Sequence, residues 1–290
     1  MFRLGYNTNG LSHHRLLDAF ELLSELGYRG VALTPDAGQL DPYDLRPGGV
    51  ARLARRAREL DLALAVETGS RYLLDPRRKH RPTLLEDDPA GRERRADFLE
   101  RCVDLAAELE AGVVSIWSGE APDGSVADER GSPGASEELW NRLCDGVARV
   151  LERAERAGVR LAFEPEPGMF VERPAGFAEL RRRLGARGAA LGLCLDVGHL
   201  IVTGDVPVDA AIRRHAAELV HVHLDDARRG EHVHRMFGAG ELDLAATLRA
   251  LAEIGYEDMA AVELSRDAPR GAEAAAEAME HLRNSSAGPR

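Results

Sequence analysis

Eight short apolar runs, spread along the whole chain and separated by amphipathic helical stretches, restrict this sequence to very few folds. The runs are Arg3 to Asn7, Gly30 to Thr34, Ala63 to Glu67, Val113 to Trp117, Arg160 to Glu164, Gly192 to Asp196, Val220 to Leu224 and Ala260 to Leu264. Each is apolar nearly throughout, as expected of a parallel strand covered on both faces. Between them apolar residues recur at helical spacing: Leu16, Phe20 and Leu23; Phe98, Cys102, Leu105 and Leu109; Leu139, Leu143, Val147, Val150 and Ala154; Leu244, Leu248 and Leu251. Gly27, Gly112, Gly158 and Gly255 each stand between a helical stretch and the next strand, where a left-handed residue ends a helix. Eight β-then-α units predict an α/β fold, a single (β/α)8 barrel over residues 1–284 with a flexible tail at 285–290. A doubly wound sheet is the alternative. Its phosphate turn would follow the first strand, and Asn7-Thr8-Asn9-Gly10-Leu11-Ser12 lacks the glycine spacing for one.

Composition narrows the partners. The chain has 290 residues, 44% of them apolar, enough for one large core. Its formal net charge of -11 repels phosphate backbones, so no nucleic acid partner is expected. No apolar run approaches the roughly 18 residues needed to cross a bilayer, so no membrane partner is expected either. Cys102, Cys144 and Cys194 are odd in number and lie in apolar periodic stretches, which predicts reduced, buried thiols. Met-Phe-Arg-Leu-Gly-Tyr leads straight into strand-like sequence, and the expected location is cytoplasmic.

The strand ends carry the chemistry. Glu67, Glu164, Asp196, His223 and Glu263 lie at or just inside the C-terminal ends of their runs, positions that converge on one mouth in a barrel. Unpaired charges buried there would be costly, and a divalent cation removes that cost by neutralising several carboxylates at once. Glu164, Asp196, His223 and Glu263 form a set that suits Mn2+, Co2+, Mg2+ or Zn2+ without choosing among them. Glu67 is left as a substrate contact or a support for the ligands. In Val220-His221-Val222-His223-Leu224 the two imidazoles share one side of a strand, His221 reading as a core histidine. Asp196-Val197-Gly198-His199 lets His199 approach the same ligand as Asp196, with Gly198 freeing the turn. His199 could bind substrate, orient Asp196 or, with His234, serve a second metal. Arg228 and His234, just beyond His223, are candidates to touch an anionic or polyhydroxyl substrate.

Two long connections follow strand ends: Gly69 to about Pro89, and Asp225 to Glu241. The first is proline-bounded and reads as a lid over the mouth. Its cations Arg71, Arg77, Arg78, Lys79 and Arg81 could bind a phosphate or another acidic group, or be solvated.

Taken in order, Leu161-Ala162-Phe163-Glu164-Pro165-Glu166-Pro167-Gly168, Leu195-Asp196-Val197-Gly198-His199, His221-Val222-His223-Leu224-Asp225, Gly238-Ala239-Gly240-Glu241-Leu242-Asp243 and Val262-Glu263 resemble the xylose isomerase-like TIM-barrel superfamily, the sugar phosphate isomerase/epimerase group. The resemblance implies one divalent metal on Glu164, Asp196, His223 and Glu263, with Glu164 and Glu263 exchanging a proton on opposite faces of a carbon beside a carbonyl. It implies substrate contacts at Glu166, His199 and Arg228, and it leaves a homodimer or tetramer open. The expected function is a metal-dependent isomerase or epimerase of a small sugar, sugar phosphate or cyclic polyol. Alternatives are a lyase resembling inosose dehydratase, a hydrolase on the same site, and a non-catalytic sugar- or metal-binding barrel. Retention of both glutamates disfavours the last. An endonuclease IV-like DNA-repair enzyme is disfavoured because the histidines that would end strands three and four are replaced by Glu67 and Trp117.

Overall fold

A computed structural model describes residues 2–127 and 137–286. Its strands in chain order are β1 (Arg3–Asn7), β2 (Gly30–Leu33), β3 (Ala63–Glu67), β4 (Val113–Ile116), β5 (Arg160–Phe163), β6 (Leu191–Asp196), β7 (Leu219–Leu224), β8 (Asp226–Arg228), β9 (Glu231–Arg235) and β10 (Met259–Val262). Eight of them close a parallel barrel in the order β1-β10-β7-β6-β5-β4-β3-β2, while β8 and β9 form a separate antiparallel hairpin. The helices are α1 (Leu16–Leu26), α2 (Gly49–Glu59), α3 (Pro89–Leu109), α4 (Glu137–Ala157), α5 (Pro174–Arg183), α6 (Val197–Thr203), α7 (Val208–Arg214), α8 (Leu244–Glu253) and α9 (Gly271–Ser286). This is the (β/α)8 barrel that the run spacing predicts. No described helix is long and apolar enough to cross a membrane.

Alternation within the strands decides what the barrel can hold. Side chains two apart on a strand share a face. On the inward face small apolar residues sit below polar ones: Ala65 below Glu67, Ala162 below Glu164, Cys194 below Asp196 and Ala261 below Glu263. The small residues form one packed layer with Ala32, Val113 and Met259. The opposite faces of the strands join the helices in the larger apolar core. Parallel register then brings the polar ends level, pairing Asp196 with His223 and Cys194 with His221. At the lower end the Met259 side chain fills the barrel. A Cβ on Gly30 would stand 2.7 Å from its terminal carbon, so a larger residue there would have to displace the Met259 side chain.

Helix ends follow the predicted punctuation with one correction. Gly27 adopts φ 100° and caps α1 through its N–H to the carbonyls of Leu23 and Ser24. Gly112 does not do this for α3, because that helix stops at Leu109 and the left-handed residue is Glu110, at φ 58°. At the C-terminus α9 runs through Ser286, so the start of the proposed 285–290 tail is helical, and 287–290 lie outside the described residues. All three cysteines are free, with Cys102 and Cys194 buried and Cys144 half-buried.

The connection after β7 is organised by one buried carboxylate. Asp226 Oδ2 accepts the N–H groups of Gly238 and Gly240 at 2.8 and 2.9 Å, and Oδ1 accepts those of Ala227 and Leu242 at 2.9 Å each. Gly240 approaches so closely that a Cβ would meet the Ala227 carbonyl oxygen at 2.2 Å. Asp226→Ala would strand these amides and is expected to destabilise the protein by about 3 kcal/mol, against less than about 1 kcal/mol for an exposed ion pair. Chemical denaturation measures this; a loss under about 1 kcal/mol would mean that water replaces the carboxylate.

Candidate functional site

The C-terminal ends of the barrel strands open into a cavity of about 690 Å³, whose lining includes Glu67, Glu164, Glu166, His199, His223 and Glu263. At its floor four side chains from successive barrel strands meet. One ligand-type atom each from Glu164, Asp196, His223 and Glu263 lies within 4.8 Å of the others. His223 Nδ1 is at the centre, 3.1 Å from Glu164 Oε1, 3.0 Å from Glu263 Oε2 and 3.8 Å from Asp196 Oδ2. Asp196 caps α6 by accepting the His199 N–H on Oδ1 at 2.9 Å, which points Oδ2 inward. Asn9 Nδ2, from the turn after the neighbouring strand β1, donates to Glu263 Oε1 at 2.7 Å and fixes that carboxylate.

The electrostatics of this floor are those of anions in need of a cation. Burial, followed by the charge of Asp225, raises the Asp196 carboxyl well above its ordinary range. Burial raises Glu164 too, with Glu263 and Glu67 adding to the effect and His223 opposing it. Burial would also lower His223, but the Cys194 sulfur and the carboxylates of Glu67, Glu164 and Glu263 outweigh it, and the imidazole is raised well above its usual range. Against the same burial, His234 and His223 hold Glu263 well below. Asp196 Oδ2 is buried without a hydrogen-bond partner, and its imidazole neighbours, His199 Nε2, His223 Nδ1 and His234 Nδ1, stand off at 3.7 to 3.8 Å. A buried carboxylate oxygen with no donor is costly, and a divalent ion shared with the other three residues would satisfy it. The donor set is hard oxygen plus one nitrogen, so the residues fit such an ion.

Glu67 stands behind this cluster. Its Oε1 lies 2.7 Å from His221 Nε2 and 3.2 Å from His223 Nε2, on the side of the His223 ring away from the other carboxylates. Burial alone would raise its carboxyl, but the charges of His223 and His221 hold it down at about 2. His221, read from the strand pattern as a core histidine, is fully buried here against Glu67. A carboxylate on the outer nitrogen fixes the ring orientation of a ligand histidine, and losing one commonly weakens metal affinity by about 10- to 100-fold. Glu67→Gln is therefore expected to weaken divalent-ion affinity by about that factor, read by calorimetric titration of the metal-free protein. Unchanged affinity would make Glu67 a packing residue only.

Around the floor the other predicted residues separate. Glu166 lines the cavity, and burial followed by Glu164 and Glu263 pushes its carboxyl up to about 8. His199 lies between Pro165 O, 3.2 Å from Nδ1, and His232 Nε2, 3.1 Å from its own Nε2. His234 Nδ1 sits 2.8 Å from Asp225 Oδ2. His199, His232 and His234 group closely enough to hold an ion themselves. Arg228 does not join them: it is exposed on β8 and absent from the cavity lining, because the hairpin turns it outward. Gly198 is required for a reason other than turn freedom. A Cβ there would stand 2.3 Å from Asp225 Oδ1, which accepts the Gly198 N–H at 3.0 Å.

Several lining residues escaped the strand-end reading. Asn7 ends β1 and Asn9 lies in the turn after it, and the logic applied to strands five to eight would have found Asn7. Trp117 lines the cavity, with the buried Arg95 guanidinium 5.0 Å over its ring. Arg95, which comes from the arginine-rich start of α3, also donates to Ser70 Oγ and to the Thr68 carbonyl at the root of the long loop. No sequence pattern marks it as buried.

The profile of the xylose isomerase-like TIM barrel family matches residues 20–285. An L-ribulose 3-epimerase from Mesorhizobium japonicum is 29% identical over 266 residues, covering 85% of this chain and 77% of that protein. A fructoselysine 3-epimerase from Escherichia coli O157:H7 is 23% identical, covering 91% of this chain and 89% of its own. Among solved structures, the IOLI protein with a bound zinc atom superposes with a TM-score of 0.72 at 19% identity, covering 99% of this chain and 97% of that one. The sequence profile and the closed eight-stranded barrel agree, and the chain belongs to the xylose isomerase-like TIM barrel family.

Proposed function

We propose that this isomerase-class enzyme is a divalent-metal-dependent epimerase or isomerase of a small ketose or cyclic polyol. The observation that carries the reading is the convergence of Glu164, Asp196, His223 and Glu263 at the floor of one polar cavity. Sugar epimerases among the relatives support the reaction class, and the zinc-bound neighbour supports a metal.

These four residues would hold one ion, of the Mn2+, Co2+, Mg2+ or Zn2+ kind. When bound it supplies Lewis-acid polarisation of the substrate carbonyl, worth several kcal/mol. The chain supplies the proton chemistry. Inverting a stereocentre requires removing a proton from one face and returning one to the other, so two positioned carboxylates are needed. Glu164 and Glu263 fill those roles from strands on either side of His223. Asp196 and His223 are ligands only. Glu166, with its raised carboxyl, and His199 hold substrate hydroxyls from above. His199 and His234 could serve a second ion instead of substrate.

Elemental analysis and a ketose panel in deuterated buffer test this together. The expected result is about one divalent ion per chain and deuterium incorporated at the carbon beside the carbonyl of the epimerised product. Water elimination with no epimer would reassign the site to a lyase. A chain that binds no divalent ion would end the proposal.

A further inference from the structure

Lys79 is the single lysine among the 38 lysine and arginine residues of this chain. It lines the cavity, together with Arg71 and Arg266. Arginine serves nearly every other need for positive charge here, chiefly as a planar partner for carboxylates. Lysine differs as a compact point charge with three rotatable donors, suited to an anion whose orientation is not set by a planar fork.

The cations of the long loop divide by direction. Arg78 pairs with Asp75, and Arg81 pairs with Glu86 and Glu120, so both are committed to carboxylates of the protein. Arg71 makes a loose ion pair with Asp36, at 3.6 Å, and a long hydrogen bond to the Asn9 carbonyl, at 3.5 Å. Among the described residues no carboxylate pairs with Lys79 or with Arg266. The backbone beside Lys79 is fixed. His80 N donates to the Arg71 carbonyl at 2.6 Å, its ring meets the edge of Trp117 at 5.2 Å, and its φ of 62° is held in the left-handed region. The ammonium is close enough for its charge to be felt at Glu166, His80 and His232, and that of Arg266 is felt at His232. The floor carries the carboxyl groups of Glu164, Asp196 and Glu263, so an anionic group is better placed at the outer end, beside the cations.

We propose that Lys79, Arg71 and Arg266 form an anion subsite at the outer end of the cavity, and that the substrate carries a phosphate or carboxylate remote from its reacting carbonyl. The proposal rests on the epimerase reading and narrows its substrate class.

The test compares kcat/KM of the metal-loaded enzyme for neutral ketoses with that for their phosphorylated and carboxylated counterparts. One charged hydrogen bond implies a preference of roughly 10- to 100-fold for an anionic substrate, and the better of the two charged sets identifies the group. Lys79→Met should collapse that ratio toward one, and Lys79→Arg should restore part of it. In parallel, an amine-acylating reagent can modify only Lys79 and the α-amino group. Inorganic phosphate should slow acylation of Lys79 while leaving the α-amino group as an internal reference, read by mass spectrometry. Neutral ketoses turned over as well as charged ones, with acylation of Lys79 unaffected by phosphate, would overturn the subsite and leave the epimerase reading standing. If no ketose of either kind exchanges its proton, the epimerase reading fails, and the acylation experiment, which needs no turnover, decides the subsite alone.

Discussion

Glu164→Gln and Glu263→Gln are each expected to lower kcat by about 10²- to 10⁴-fold while leaving the protein folded. Glutamine keeps the shape of the side chain but cannot take up or return a proton. The fold should tolerate both changes, for a different reason at each position. For Glu164, whose carboxyl is raised by burial and by Glu263 and Glu67, the substitution removes a charge that already opposes folding. For Glu263, the oxygen of glutamine can still accept from Asn9 Nδ2. The readings are kcat, the thermal midpoint and the bound-metal content of each variant. Retained metal with lost deuterium exchange identifies a proton-transfer role, whereas lost metal identifies a ligand role. Full activity in either variant would sink the two-carboxylate mechanism.

Removing the divalent ion is expected to abolish turnover and lower the thermal midpoint. An ion present at a hundred times its dissociation constant adds about 2.7 kcal/mol to folding, roughly 5 °C for a domain of this size. The metal-free protein should also lose stability as pH rises from about 6.5, the ordinary histidine value, to about 8, the raised value of Glu166. His223 and His234 are raised above their ordinary 6.5, so their contribution is complete below that value and lost as pH rises through their folded values. Glu166, raised from 4.5 to about 8, acts in the same direction, because the folded state holds its proton longer than the unfolded chain. His80, His199 and His232 are lowered by burial and oppose this only at lower pH, being neutral in both states above about pH 7. Calorimetric scans with and without Mn2+ over this range check the prediction. Asp196→Asn should flatten the metal dependence, since its Oδ2 is buried without a donor. Equal midpoints with and without metal at every pH would contradict the account.

Much of this molecule was legible before any coordinate. Strand and helix periods are local properties of the chain, so eight runs and the stripes between them were enough to predict the barrel. Strand parity is equally local. It placed Glu67, Glu164, Asp196, His223 and Glu263 at one mouth, because residues two apart share a face and parallel strands present their ends together. The helix stop at Glu110 was not legible, since a non-glycine residue in the left-handed region carries no compositional mark.

What the sequence by itself determined, then, was the architecture and the identity of the side chains at the floor. Tertiary structure alone decided their partners. It set Glu67 against the outer nitrogen of His223, and made Gly198 necessary through the approach of Asp225. It also turned Arg228 into solvent, brought Arg71 and Lys79 of one loop to the cavity, and bound Arg78 and Arg81 of the same loop to neighbouring carboxylates. The physical reason is the difference between period and path. Repeating patterns are written in adjacent residues, whereas the course of a long connection, and so the neighbour each of its side chains meets, is set by contacts between segments far apart in the chain.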